Sequence, residues 1–381
     1  MKNFILLIWL AVSFFVLSAL SFAAETDVDR LLDLLVEKGV VTKDDAVGFR
    51  ADLAVKKQEE KETQKEFTVI AGKPIKISGY TQVRYRQDKS INDTFDIRRA
   101  RLDIKGDITE RFDYRTQLEF GGTSGPFLLD ATINYKVNPY IKLTTGQFKI
   151  PFSQENLISS PKLDTINRSQ IVEALVARGT DVIGNQNGRD IGLQASGSFW
   201  QKENIYLFDY ALGVFNGAGI NRADTNEQKD LIGRLIFRPI KDFTVGTSYY
   251  LGDYTVTTAS SLSPVVRKDA RDRIGLEFAY VKDPISLKGE YIKGNDGATN
   301  KDGWYLQAGY FFIPKKFQGV FKFDTYDPDT KVSKNEKDVY TLGGNWYFNK
   351  SAFLQVNYEF KDEKAKETDN NALTGQLTLQ F

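Results

Sequence analysis

Ile75-Lys76-Ile77-Ser78-Gly79-Tyr80-Thr81-Gln82-Val83-Arg84-Tyr85-Arg86 alternates, with the odd positions mostly apolar and the even ones mostly polar. A run in which every second side chain is oily reads as a strand with one face on an apolar medium and the other on water. The texture recurs at Ala131, Ile133, Tyr135 and Val137 against Thr132, Asn134 and Lys136. It returns at the end of the chain, where Leu373, Gly375, Leu377, Leu379 and Phe381 alternate with Thr374, Gln376, Thr378 and Gln380. Between residues 74 and 381 it is broken at intervals by clusters of Gly, Asn, Asp and Pro, the pattern of successive β-hairpins. About sixteen segments can be counted, with centres near Gln82, Leu102, Gln117, Ile133, Leu143, Leu193, Tyr210, Leu235, Val245, Leu276, Leu287, Leu306, Phe321, Leu342, Val356 and Leu377. Their lengths suit tilted membrane strands of about 9–11 residues. The expected fold is all-β, a sixteen-stranded antiparallel transmembrane β-barrel with a short N-terminal helical segment.

The connections sharpen this reading, because outer-membrane barrels have short turns on the periplasmic side and longer loops outside. Tight links are expected at residues 107–110, 138–139, 201–203, 239–242, 283–284, 314–316 and 349–350. Longer polar ones fall between them, at 88–94, 121–126, 152–188, 217–228, 252–270, 294–302, 327–336 and 361–371. A soluble β-sandwich has no reason to alternate short with long. Both termini then lie on the periplasmic side. The 152–188 connection is the longest, beyond what a hairpin needs and therefore a candidate for function. Helical stretches within 163–178 suggest that it is ordered.

Upstream, residues 1–23 read as a signal peptide. Lys2 precedes an apolar run from Phe4 to Leu20, and Ser21-Phe22-Ala23 places small residues where a signal peptidase looks. A membrane anchor is the alternative, since such a run is near the minimum for a spanning helix. Residues 24–73 form a periplasmic helical or coiled-coil appendage and linker. Leu31, Leu34 and Leu35 share a helical face, and Thr42 with Asp45 resembles a capping box that opens a second helix. A linker of marginal helicity is the other reading of this stretch.

Composition agrees with an exported barrel. Aromatic residues make up 13% of the chain, as girdles at two membrane interfaces would require, although a large sandwich enriches them too. Without cysteine no disulfide framework holds the chain together. Without histidine or cysteine the common hydrolase and metal constellations lose base, ligand or nucleophile, so no catalytic residue, metal site or cofactor is expected. Removing Lys2 from 51 basic residues leaves 50 against 50 acidic ones, so no global field attracts nucleic acid.

Several segments carry a resemblance. Phe95-Asp96-Ile97-Arg98-Arg99-Ala100-Arg101-Leu102 with Lys105-Gly106 is followed by Leu143-Thr144-Thr145-Gly146-Gln147-Phe148-Lys149-Ile150-Pro151-Phe152-Ser153. Gly188-Arg189-Asp190-Ile191-Gly192, Gly213-Val214-Phe215-Asn216-Gly217 and Gly233-Arg234-Leu235 come next in order. Together they make the chain resemble the phosphate-selective porin family, of the porin O and P type. The resemblance implies a homotrimeric barrel in the outer membrane of a Gram-negative bacterium. It also implies a third outer loop folded inward and an arginine-lined route for small anions, phosphate among them.

Lumen parity in the first three strands places Lys76, Arg84, Arg86, Arg99, Arg101, Lys105 and Arg115 inside, against Asp103, Asp113 and Glu119. Arginine suits oxyanions because its fork of donors matches their oxygens. The candidate anion pathway is Arg84, Arg86, Arg99, Arg101, Lys105 and Arg115, with Arg168 and Arg178 in the long loop as constriction residues. Equally, these arginines could pair with acids across strands and brace the wall. Arg189 is read as lying near the rim, either anchoring the loop base or meeting solute. Glu277, Glu290, Asp324 and Glu359 are expected to face inward beside Lys288 and Lys322. Three readings remain: an anion-preferring porin, a general diffusion porin of weak selectivity, and a plugged barrel that is structural or adhesive.

Overall fold

The computed structural model describes residues 34–38, 41–43, 45–49, 67–70, 73–89, 91–122, 125–224, 226–258, 265–366 and 368–381. The chain divides into two units, residues 1–68 and 69–381. The expected signal peptide lies outside the described residues, as does most of the helical appendage. Where that appendage is described, Thr42 opens a helical turn: Asp45 N donates to Thr42 Oγ1 at 3.1 Å and Ala46 N to Thr42 O at 3.0 Å. The Thr42 hydroxyl in turn donates to Asp45 Oδ2 at 2.6 Å. The cap forms as its sequence asks, with the shorter Asp meeting the hydroxyl where a Glu would reach back to the backbone.

A four-residue strand, Phe67–Ile70, runs across the boundary at residue 68, and sixteen barrel strands follow it in the second unit. These are β1 (Lys73–Asp88), β2 (Ile91–Asp107), β3 (Phe112–Glu119), β4 (Phe127–Asn138) and β5 (Ile141–Lys149). Then come β6 (Arg189–Lys202), β7 (Ile205–Phe215), β8 (Asp230–Ile240), β9 (Phe243–Leu251), β10 (Arg273–Lys282) and β11 (Ile285–Asp296). The last five are β12 (Thr299–Ile313), β13 (Phe317–Asp327), β14 (Lys337–Tyr347), β15 (Ala352–Glu363) and β16 (Ala372–Gln380). Every sequence-derived centre falls within its strand. Each strand pairs antiparallel with its neighbour, and β16 pairs with β1, so the sheet closes and has no edge. At the seam Gly79 N donates to Phe381 O and Phe381 N to Gly79 O, at 2.9 and 3.0 Å. Position 79 has no room for a side chain: a Cβ there would stand 2.6 Å from the Phe381 ring.

Outward positions are apolar and exposed, among them Val83, Leu212, Leu276, Leu306, Leu342 and Leu377. Two aromatic levels flank this band. Phe199, Phe208 and Phe237 stack at 5.1 and 5.0 Å near the short-turn end. Trp304, Phe323 and Tyr340 follow one another at 5.0 and 4.9 Å toward the other end. Aromatic rings gathered at two levels suit the two bilayer interfaces, and Trp304 and Tyr340 add a polar edge at the second.

Three features differ from the sequence reading. The connections expected over 88–94 and 294–302 are tight turns, because pairing runs on to Asp88 with Ile91 and Asp296 with Thr299. These strand ends are polar on both faces, so their alternation carries no signal. Within 252–270 the chain forms a two-stranded ribbon, Asp253–Thr258 with Val265–Ala270. The lumen is also not polar throughout. Phe152, Ile171, Val172 and Leu175 of the long loop make a buried core with the inward-facing Phe215, Ile232, Tyr250 and Ile292.

Candidate functional site

Residues 150–188 leave β5, cross the lumen and return to β6. Ser153, at φ 69°, turns the chain inward and caps the short helix Gln154–Leu157 by accepting from Asn156 N. Gly188, at φ +69°, closes the base. A Cβ there would fall 1.8 Å from Asn156 Oδ1, so only glycine lets the two ends of the loop meet.

The far wall receives the loop through polar contacts. Gln154 Nε2 donates to Phe278 O and Gly289 O, both at 2.9 Å. Lys288 Nζ meets Asp164 at 2.6 Å, Ile166 N donates to Asn357 Oδ1 at 2.7 Å, and Asn167 Nδ2 donates to Glu359 at 2.7 Å. Gln170 N, at the start of the helix Gln170–Leu175, donates to Asp324 Oδ2 at 2.8 Å, and Lys322 Nζ to Asn167 O at 2.8 Å. Glu290 accepts from Glu155 N at 2.7 Å, and Glu277 pairs with Arg234. The inward acids and lysines of β10 to β15 are thus mostly the dock for the loop. The bonds just named dock the loop on β10 to β15 and leave β16, β1, β2 and β3 as wall outside that dock.

That remaining wall carries the candidate arginines, and they fall into two groups. In the first, each guanidinium meets carboxylate. Arg84 donates to Asp96, with Nε 3.0 Å from Oδ1. Arg101 Nε lies 2.6 Å from Glu119 Oε2, with both side chains buried. Arg115 spans Asp103 at 2.6 Å and Asp130 at 2.8 Å. In the second group, no carboxylate lies at ion-pair distance among the described residues. Arg99 donates to Gln82 Oε1 at 3.1 Å, and the buried Nε of Arg86 has no partner. Lys105 stands apart from both groups, exposed beside the first short turn. Arg189 takes the anchoring role: its Nε is 2.7 Å from Asp130 Oδ1, and Nη2 donates to Gln117 at 3.1 Å.

The loop arginines are buried. Arg168 donates from Nε to Glu155 O at 3.0 Å and from Nη2 to Ile158 O at 2.9 Å, leaving Nη1 without a partner. Arg178 meets Glu173 only at 3.8 Å, and its Nε is likewise unpartnered. Burial pushes the Arg178 guanidinium well below its ordinary value, with Arg168, Arg189 and Arg101 adding to the push and Glu173 opposing it. Burial also lowers Arg168, against the pull of Glu155 and Glu173 and with Arg101 on the same side. A guanidinium does not give up its proton in a protein. Both guanidiniums therefore stay charged although buried, with other arginines among their electrostatic neighbours.

Sequence reasoning missed Arg98. The register jumps from Gln82 opposite Arg99 to Val83 opposite Ile97, so Arg98 is the extra residue of a β-bulge. Arg98 and Arg99 both turn inward, and Arg98 Nη1 stands 3.5 Å from Gln376 Oε1. The bulge also brings Asp96 to the lumen side, opposite Arg84. Lys149 was quoted only within a motif, yet its Nζ donates to three loop carbonyls, those of Asn156, Leu157 and Ile158, at 2.7, 3.2 and 2.9 Å.

A family model described as "Phosphate-selective porin O and P" matches residues 77–381, nearly the whole barrel. The chain belongs to the phosphate-selective porin O and P family. This porin is also 24% identical to an uncharacterised protein of Aquifex aeolicus (strain VF5), over 96% of its own length and 97% of that protein. Among solved structures it is similar in fold to Salmonella typhi OmpF in complex with daunomycin, at TM-score 0.61 and 11% identity, covering 81% of this chain and 98% of that one. The outer-membrane channel DcaP of Acinetobacter baumannii superposes at TM-score 0.59 and 11% identity, over 83% and 99% of the two chains. The trimer form of Vibrio cholerae OmpT does so at TM-score 0.59 and 9% identity, over 81% and 99%. Family and fold together make this porin a channel protein of the Gram-negative outer membrane.

Proposed function

We propose that this porin passes small anions by diffusion, along the crescent between the long loop and strands β16 to β3. The observation that carries the reading is the set of guanidiniums without carboxylate ion partners, Arg98, Arg99 and Arg168, together with the weakly paired Arg178, around one side of the loop. A confined positive field with spare N–H donors replaces part of an anion's hydration and excludes cations. Guanidinium forks fit tetrahedral oxyanions, so phosphate is the anion class the site suits best.

A second reading has its own support. Arg84, Arg101 and Arg115 are bound to Asp96, Glu119, Asp103 and Asp130, which makes bracing their main role and dilutes the field. If these pairs dominate, the channel is a general diffusion porin of weak selectivity.

The same proposal includes a homotrimer with periplasmic termini. Thr81 opposite Ala100 and Thr116 opposite Ala131 set small side chains among the large outward residues of β1 to β4, such as Val83, Ile97 and Ile133, where a neighbouring barrel could approach closely. Titrating inorganic phosphate against chloride current tests the function. Saturating block in the parent and its loss in Arg98→Gln/Arg99→Gln is the expected result. An unblocked parent current leaves the general diffusion porin.

A further inference from the structure

We propose that Arg271, which lies outside the barrel strands and away from the arginine wall, is the positioning residue that fixes the place of the buried Arg178, whose charge contributes to the field along the anion route. The inference rests on the anion-pathway reading and deepens it. Arg271 stands where the outer ribbon Asp253–Thr258 with Val265–Ala270 returns to the barrel, and its N donates to Gly252 O at 2.7 Å. Its side chain is fully buried and forks onto Asp181 of the long loop, Nε to Oδ1 at 3.1 Å and Nη2 to Oδ2 at 2.9 Å. Tyr250, itself bonded to Asp230, holds the guanidinium from the other side.

Asp181 passes the constraint back along the loop. Its Oδ2 accepts from Ala177 N at 2.8 Å, and Asp181 N donates to Arg178 O at 3.1 Å. Ala177 has φ 51°, a left-handed conformation that costs a non-glycine residue free energy and persists only where its surroundings impose it. The Ala177 carbonyl is also fixed, accepting from Gln186 N at 3.0 Å and Gly188 N at 2.9 Å. The two peptide groups that flank the Ala177 Cα are therefore held, the one before it at its N–H and the one leading into Arg178 at its C=O. Of these two restraints, the N–H depends on Asp181, and Asp181 is oriented by Arg271. Without the fork, Ala177 relaxes toward ordinary φ and the Arg178 side chain leaves its buried place beside Glu173.

The test is a cycle in the full-length protein, read by zero-current potential in a salt gradient, with heat-modifiable migration showing that each barrel is folded. Arg271→Gln is expected to shift the potential toward zero. Arg271→Lys, which keeps the charge and loses the fork, is expected to shift it equally, which separates the placing of Arg178 from the field of Arg271 itself. In an Arg178→Gln background neither change is expected to have a further effect. An unchanged potential in Arg271→Gln, or a shift that adds to that of Arg178→Gln, overturns the proposal. A parent without anion preference overturns the anion-pathway reading instead. The same variants are then read by single-channel conductance, where non-additivity upholds the positioning role and additivity rejects it.

Discussion

At the residue scale, the structure separates arginines that the sequence could only group. Arg101 and Arg99 lie two residues apart on the same inward parity, yet Arg101 is bound to Glu119 and Arg99 meets only an amide oxygen. Arg101→Gln strands a buried carboxylate. Glu119 keeps its bonds from Ala100 N and Gly121 N, so the loss falls at the low end of the range for a broken buried pair, about 3 kcal/mol. Thermal unfolding in detergent should show that loss with selectivity nearly constant. Arg99→Gln should do the reverse, moving the reversal potential toward cations at an unchanged melting temperature. The sequence did hold a signal for Arg98. Its apolar phase is odd at Phe95 and Ile97 and even at Ala100 and Leu102, and a phase slip of one residue in a continuous strand is a bulge. Which acid each arginine would meet was not legible. Partners such as Asp130 and Glu119 come from other strands, and register decides them.

At the element scale, the long loop is a packed inner wall. Its length and its helical patches were legible, whereas its dock was not, because Gln154, Asp164 and Gln170 are ordinary loop residues until the opposite strands supply Gly289, Lys288 and Asp324. Shortening the 152–188 connection to a tight turn should raise single-channel conductance severalfold, since the loop crosses the lumen to dock on the far wall. Unchanged conductance in a folded barrel would remove it from the mechanism. The loop should also loosen in acid. Burial raises the Asp181 carboxyl, but the Arg271 guanidinium outweighs it and holds the group below its ordinary 3.8. A depressed carboxyl contributes stability above its unfolded value and loses it as pH falls through the folded one. The contribution of the Asp181–Arg271 pair should therefore persist from neutrality down to about pH 4 and fade only below that, so an Asp181→Asn loop should gain protease sensitivity at neutral pH and lose the extra rise below pH 4.

At the scale of the whole molecule, strand number, closure and the two faces were all present in period-two alternation, because a barrel with lipid outside and solvent inside obeys one rule on every strand. The apolar cluster around Ile171, Phe215 and Ile292 broke the rule, since a lumen filled by its own loop has a dry side. Closed strands satisfy their own backbone groups, so the barrel at residues 74–381 should form in a heat-modifiable state when residues 25–66 are deleted. A truncated chain that stays unfolded would tie the helical segment to barrel assembly.

The central claim is that the guanidiniums without acid partners set the sign of the channel's selectivity. The most direct measurement is the zero-current potential of the parent protein in a planar bilayer across a tenfold potassium chloride gradient. The expected sign is that of chloride preference, strongest at low ionic strength where lumen charge is least screened. A potential near zero, or of the sign for potassium preference, would contradict it.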